Sequence, residues 1–196
     1  MERTATIERK TRETDIRLTL KLDGSGESSI DTGIPFMDHM LQLMAAHGFF
    51  DLEIRARGDT EIDDHHTVED LGICLGTALG QALEDKGGIR RYGAAIVPMD
   101  EALSRVVIDI SNRPFLSYQV ESEARTAGTF DVGLIREFLR GITIHAGITA
   151  HVDLLRGKDA HHVAESVFKA LGRALDEATS ADDRLKGTPL STKGAL

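Results

Sequence analysis

The sequence predicts an α+β fold built from two similar halves, each in the order ββαβα. Three observations lead there. Apolar and polar residues alternate in several short runs, the period of a half-buried strand. Longer runs between them carry apolar residues three and four apart, the spacing of an amphipathic helix. The octapeptide DDHHTVED at 63–70 nearly recurs as DAHHVAES at 159–166, 96 residues on. A repeat at that distance points to a duplicated supersecondary unit.

The elements follow in order. Ile16, Leu18, Leu20 and Leu22 alternate through TDIRLTLKL, the first expected strand. DGSGES reads as a turn and SIDTGI as a second strand. Pro35 suits the first turn of a helix whose apolar stripe is Phe36, Met40, Leu43 and Met44, with Gly48 expected to end it. Leu52, Ile54 and Ala56 alternate in FDLEIRAR. From about His65 to Glu84 the spacing is helical through Val68, Leu71, Leu75, Leu79 and Leu83, until KGGIRRYG breaks it. In the second half RYGAAIVPMD and SRVVIDI read as strands, with a third in PFLSYQV. A helix is expected over DVGLIREFLRGITIHAG, a strand over ITAHVDLL and a helix over GKDAHHVAESVFKALGRALDEA. The polar tail SADDRLKGTPLSTKGAL should be irregular. The expected units are residues 1–88, 89–180 and the tail 181–196, in one compact body.

Composition excludes several classes of function. The chain has 196 residues, 41% of them hydrophobic and 28% charged, as in a globular domain. Its formal charge of −9 argues against a nucleic-acid backbone as partner. The single cysteine, Cys74, permits no disulfide within the chain, which fits a reducing compartment. MERTATIERKTRETD lacks the apolar core of a secretory signal, and no apolar run is long enough to span a bilayer. A cytoplasmic protein without a membrane partner is expected.

The chemistry concentrates in the two HHxxE motifs. On a helix, His65 and Glu69 stand at i and i+4 and can grip one metal ion, as can His161 and Glu165. His66 and His162 lie about 100° around the helix and point elsewhere. The repeat therefore suggests reciprocal sharing. One metal takes His161, Glu165, His66 and His39; the other takes His65, Glu69, His162 and Glu137. Imidazole with carboxylate suits Mn, Fe, Zn or Ni. Asp63 or Asp64 could cap the first of these helices, and His47 and His145 suit structural roles at helix ends. Arg90, Arg91, Arg113, Lys169 and Lys193, with the hydroxyls of Ser191 and Thr192, could form a phosphate clamp. The same claws would also serve a metal-storage protein or a metallohydrolase, but neither requires that clamp.

At these residues the sequence resembles the imidazoleglycerol-phosphate dehydratase family, through ERKTRETDI, GIPFMDHMLQLMAAHG, DDHHTVEDLGICLG, SNRPF, GKDAHHVAESVFKALGRAL and STKG. The resemblance spans essentially the whole chain. It implies a fold like domain 2 of ribosomal protein S5, each half a four-stranded sheet with two helices on one face. It implies two Mn2+ ions per active site, sites shared between subunits, and a homo-oligomer of 24 subunits. It makes Glu13 a substrate-contacting acid/base candidate, catalytic together with the claw carboxylates Glu69 and Glu165. It places His39 and Gln42 near the substrate, and Arg91, Arg113, Lys169, Ser191, Thr192 and Lys193, the last three in the tail, around its phosphate. Some members carry His at the position of Glu137. A monofunctional chain, without the fused phosphatase domain of some bacterial relatives, is expected. The implied reaction dehydrates D-erythro-imidazole-glycerol phosphate to imidazole-acetol phosphate in histidine biosynthesis, through a metal-bound imidazolate.

Overall fold

The computed structural model describes residues 2–196. The first half contains β1 (Thr4–Lys10), β2 (Thr14–Lys21), β3 (Ser28–Asp31), α1 (Pro35–Gly48), β4 (Asp51–Gly58) and α2 (His65–Ala82). Its sheet has the order β1-β2-β4-β3. The second half contains β5 (Tyr92–Met99), β6 (Ala102–Ile110), β7 (Phe115–Gln119), a small hairpin of β8 (Thr126–Ala127) and β9 (Phe130–Asp131), α3 (Leu134–Ala146), β10 (Ile148–Arg156) and α4 (Ala160–Thr179). Its sheet order, β5-β6-β10-β7, copies the first. In each sheet both pairings made by β2 or β6 are antiparallel, and the last strand joins in parallel.

Four points differ from the sequence reading. Strand β1 was not expected, because it runs along a sheet edge and buries only Ala5, which leaves little alternation to read. The first half is therefore βββαβα, the order that the second half also has apart from the β8–β9 hairpin. Strand β3 stops at Asp31, and α3 starts at Leu134 because Phe130 and Asp131 pair with Ala127 and Thr126 instead. The tail contains a 3-10 turn over Asp183–Leu185, and Ala181 bridges Ile89.

Alternation decides which face each sheet buries. Ile16, Leu18, Leu20, Leu52, Ile54 and Ala56 point inward from the first sheet; Val106, Ile108, Ile110, Ile148, Ala150 and Val152 do so from the second. Helices α1 and α2 cover the first inner face, α3 and α4 the second. Across the middle α2 packs on α3 and α1 on α4, so all four helices lie between the two sheets and share one core. Phe138 and Phe168 stack in that layer with ring centroids 5.6 Å apart.

The helices meet backbone to backbone at glycines. A Cβ on Gly172 would lie 2.4 Å from the Met44 carbonyl oxygen of α1. A Cβ on Gly76 would lie 2.7 Å from the Ile142 carbonyl oxygen of α3. Gly48 belongs to the same contact. It does not supply the left-handed helix stop expected of it; Phe49 takes that conformation, at φ 56°. Gly48 is needed because a side chain there would come 2.9 Å from the Gly172 carbonyl oxygen. Between the halves, Lys86 is buried and donates to the Ala146 carbonyl at 3.0 Å and to Asn112, closing the C-terminal end of α3. Burial lowers its pKa.

Gly172→Ala and Gly76→Ala should each lower stability by about 1–3 kcal/mol, the usual cost of overpacking. That loss outweighs the roughly 1 kcal/mol that alanine gains in helix propensity. Urea unfolding checks this, and an unchanged midpoint in both variants would contradict the close helix contact.

Candidate functional site

Helix α4 begins with a strong cap. Asp159 accepts the backbone N–H groups of His161 and His162 at 2.9 and 3.1 Å, satisfying donors that the first helical turn leaves free. This fixes both histidines at the helix start. One turn later Glu165 lies beneath His161, with Nε2 3.0 Å from Oε1. His39 reaches across from α1 and brings its own Nε2 to 3.1 Å from the same oxygen. The ligand atoms of His39, His161 and Glu165 all lie within 4.8 Å of one another. Lys169, one turn further along α4, donates to the other Glu165 oxygen at 2.7 Å and also touches Met99 Sδ.

Burial alone would push the Glu165 carboxyl up, but Lys169, His39 and His161 outweigh it and hold the pKa at about 2. Glu165 is thus an ionised, buried carboxylate beside two imidazole nitrogens. That donor chemistry fits a first-row divalent metal ion.

The corresponding residues of the first half are less closed. Asp63, not Asp64, accepts the N–H of His65, at 2.8 Å. His65 Nε2 lies 3.7 Å from Glu69 Oε2. Glu137 of α3 shares a cleft of about 650 Å³ with His65 and pairs with Arg140 at 3.3 Å. The reciprocal sharing inferred from the repeat is not formed within one chain: among the described residues the gathered group contains only His39, His161 and Glu165. His66 turns instead to Asp59, and His162 to Glu101. Each acidic partner raises its histidine's pKa despite some burial, with Glu13 adding to the effect at His66.

Arg91, Ser111, Arg113, Ser191, Thr192 and Lys193 line one cleft of about 1050 Å³ between the second sheet and the tail. Three of the clamp residues do not behave as the sequence suggested, and the first, Arg90, is exposed but does not line this cleft. The Arg91 guanidinium is committed, paired with Asp109 at 2.7 and 3.2 Å and donating to the Leu190 carbonyl at 2.6 Å, so it anchors the tail. Lys169 is absent from this cleft because Glu165 holds it. Arg113, also 3.3 Å from Asp109, and Lys193 remain the exposed cations. Gln42 is exposed on α1 one turn past His39, and Glu13 is exposed in the β1–β2 turn.

Cys74 is buried, and burial raises its thiol to about 11, so it is no nucleophile. His145 has the expected structural role, its Nδ1 2.9 Å from the Gly141 carbonyl oxygen. Asp59, Glu101 and Asp109 escaped the sequence reading. Glu101 and Asp109 act between segments that only the fold brings together, whereas Asp59 stands just seven residues before His66, in the loop that leads into α2. Asp159, which the sequence reading placed inside the helix, stands just before it as the cap. No helix among the described residues is long and apolar enough to cross a membrane.

Comparison with known proteins gives a consistent result. The model of the family described as imidazoleglycerol-phosphate dehydratase matches residues 32–175. The imidazoleglycerol-phosphate dehydratase of Halalkalibacterium halodurans is 58% identical over 194 residues, covering 99% of this chain and 100% of that protein. The Alkalilimnicola ehrlichii protein of the same name is 59% identical over 196 residues, covering all of both. The crystal structure of the Staphylococcus aureus dehydratase superposes with a TM-score of 0.83 at 41% identity, covering 91% of this chain and 99% of that one. The Pyrococcus furiosus enzyme, in complex with (S)-C348, gives 0.84 at 38% identity, covering 97% and 100%. With a duplicated fold and a His–His–Glu cluster between its halves, the chain belongs to the imidazoleglycerol-phosphate dehydratase family, hydro-lyases of histidine biosynthesis.

Proposed function

We propose that the chain converts D-erythro-imidazole-glycerol phosphate to imidazole-acetol phosphate and water, using two Mn2+ ions per site in a cytoplasmic assembly of 24 subunits. The observation that carries this reading is the His39–His161–Glu165 cluster, gathered from two helices of different halves. His39, His161 and Glu165 would hold one ion and His65, Glu69 and Glu137 the other. His66 and His162, which turn out of both groups, would complete the sites of neighbouring copies. Incomplete ligand sets within one chain support sites shared between subunits.

Bound Mn2+ would supply Lewis acidity toward the substrate's ring nitrogens and orient the ring. The chain's own residues do the rest. Arg113, Lys193, Ser191 and Thr192 would hold the phosphate, with Arg91 fixing the tail that carries three of them, so that the reacting carbons are correctly placed. Glu13, exposed and beside His66, is the candidate to move the proton at C2. His39 and Gln42 would border the substrate from α1. A proton leaves C2 and the hydroxyl leaves C3, together forming water, and the resulting enol tautomerises to the ketone. Lys169 keeps Glu165 ionised and in place.

Incubation with imidazole-glycerol phosphate and Mn2+ should yield the ketone, detected by mass spectrometry. Release of inorganic phosphate would indicate a metallohydrolase, and absence of turnover a metal-binding protein. Glu165→Gln should abolish metal binding and activity while leaving the circular dichroism spectrum native; a variant with full activity would remove this cluster from the mechanism. Lys193→Ala should raise KM several-fold with kcat little changed, since a phosphate contact far from the reacting carbons contributes mostly uniform binding. A wild-type KM would take Lys193 out of the phosphate site.

A further inference from the structure

The second histidine of each HHxxE motif is held at one ring nitrogen by a carboxylate from a loop. His66 Nδ1 lies 3.0 and 3.2 Å from the two oxygens of Asp59. His162 Nδ1 lies 2.7 Å from Glu101 Oε2, and Asp100 stands 3.8 Å from its Nε2. Both residues are braced in turn, Glu101 through its carboxylate and Asp59 through its backbone. Glu101 Oε1 accepts the N–H groups of Asp159 at 3.1 Å and Lys158 at 3.5 Å, which ties it to the start of α4. Asp59 donates its backbone N–H to the Glu13 carbonyl at 3.1 Å, which ties it to the β1–β2 turn. An imidazole that donates Nδ1–H to a fixed carboxylate has one tautomer and one ring orientation, leaving the Nε2 lone pair for a metal.

The repeat shows that the two restraints arose differently. Lys10 pairs with Asp15 and Pro98 with Leu103 in register, and Glu13 and Glu101 are each the third residue between them, so they hold the same position in equivalent hairpin turns. By symmetry Glu13 would be the residue to hold His66. Asp59 does so instead, from the residue that follows β4. The residue following β10 is Gly157, so the second half has no carboxylate at that point and Glu101 takes the role. Glu13 remains exposed.

We propose that Asp59 and Glu101 are positioning residues, fixing His66 and His162 through Nδ1 so that each presents Nε2 to a metal ion. The inference rests on the reading of these histidines as metal ligands. Mn2+ affinity, measured by competition with a chelator, tests it alongside the melting temperature of the metal-free protein. Asp59→Ala and Glu101→Ala should each weaken one class of Mn2+ site by roughly 10–100-fold, the usual effect of losing such a partner, with melting temperatures unchanged. Asp59→Asn and Glu101→Gln should recover much of the affinity, because the amide oxygen still accepts Nδ1–H. If Glu101→Ala melts early through loss of its brace on α4, Asp59→Ala decides alone, because among the described residues the Asp59 side chain bonds only to His66. Wild-type affinity in Asp59→Ala, with affinity lost in His66→Ala, would overturn the positioning role alone. Wild-type affinity in His66→Ala would overturn the ligand reading and this inference with it.

Discussion

The closeness of α1 to α4 is the constraint from which the site follows. At Gly48 and Gly172 two backbones touch without intervening side chains, and the helices cannot approach further or slide without clashing. His39 lies nine residues before Gly48 on α1, and Glu165 lies seven before Gly172 on α4. A shift at the glycine contact therefore passes along two rigid rods to the atoms that would bind a metal. The Gly76 contact with α3 does the same for His65, Glu69 and Glu137. Interiors packed at crystal-like density transmit such displacements rather than absorb them.

The duplication preserved this geometry while the surrounding chemistry diverged. Directly after Glu69, Asp70 is buried between Arg9 at 2.9 Å and the Thr14 hydroxyl at 2.6 Å. The residue in the same place after Glu165 is Ser166, whose hydroxyl meets that of Ser104 at 2.6 Å. Both pairs tie a claw-bearing helix to its sheet, one through charge and the other through neutral hydroxyls. The claws differ too. Lys169 neutralises the buried Glu165, whereas among the described residues no lysine or arginine pairs with Glu69, and Glu137 pairs with Arg140 nearer the surface. A buried carboxylate without a partner would be costly, so the deeper claw needed the lysine.

Much of this was legible in the chain because its signals are local. The alternation of Ile16, Leu18 and Leu20, the stripe Leu134, Ile135, Phe138 and the i, i+4 spacing of His161 and Glu165 each depend only on near neighbours. Strand β1 was not legible, since an edge strand with one buried residue is stabilised by its pairing and not by its pattern. Gly48 was misread for a related reason. Local rules assign a helix-end glycine to a left-handed backbone, and nothing in its neighbourhood reveals a second helix 124 residues away. The commitment of Arg91 was hidden likewise, because Asp109 and Leu190 reach it only in the folded chain; that of Lys169 to Glu165 is an i, i+4 pair on α4, a local signal that the sequence reading passed over.

The tail cleft has a consequence for how an anion would arrive. The chain carries a formal charge of −9, while Arg113 and Lys193 stand exposed within the cleft. A phosphate ester is therefore repelled at a distance and attracted only at close range. Dissolved ions screen the far field first, with a screening length of about 8 Å at physiological ionic strength. On the proposed reading of the cleft, moderate salt speeds capture of the substrate, opposite to the behaviour of a basic protein that steers an anion from afar.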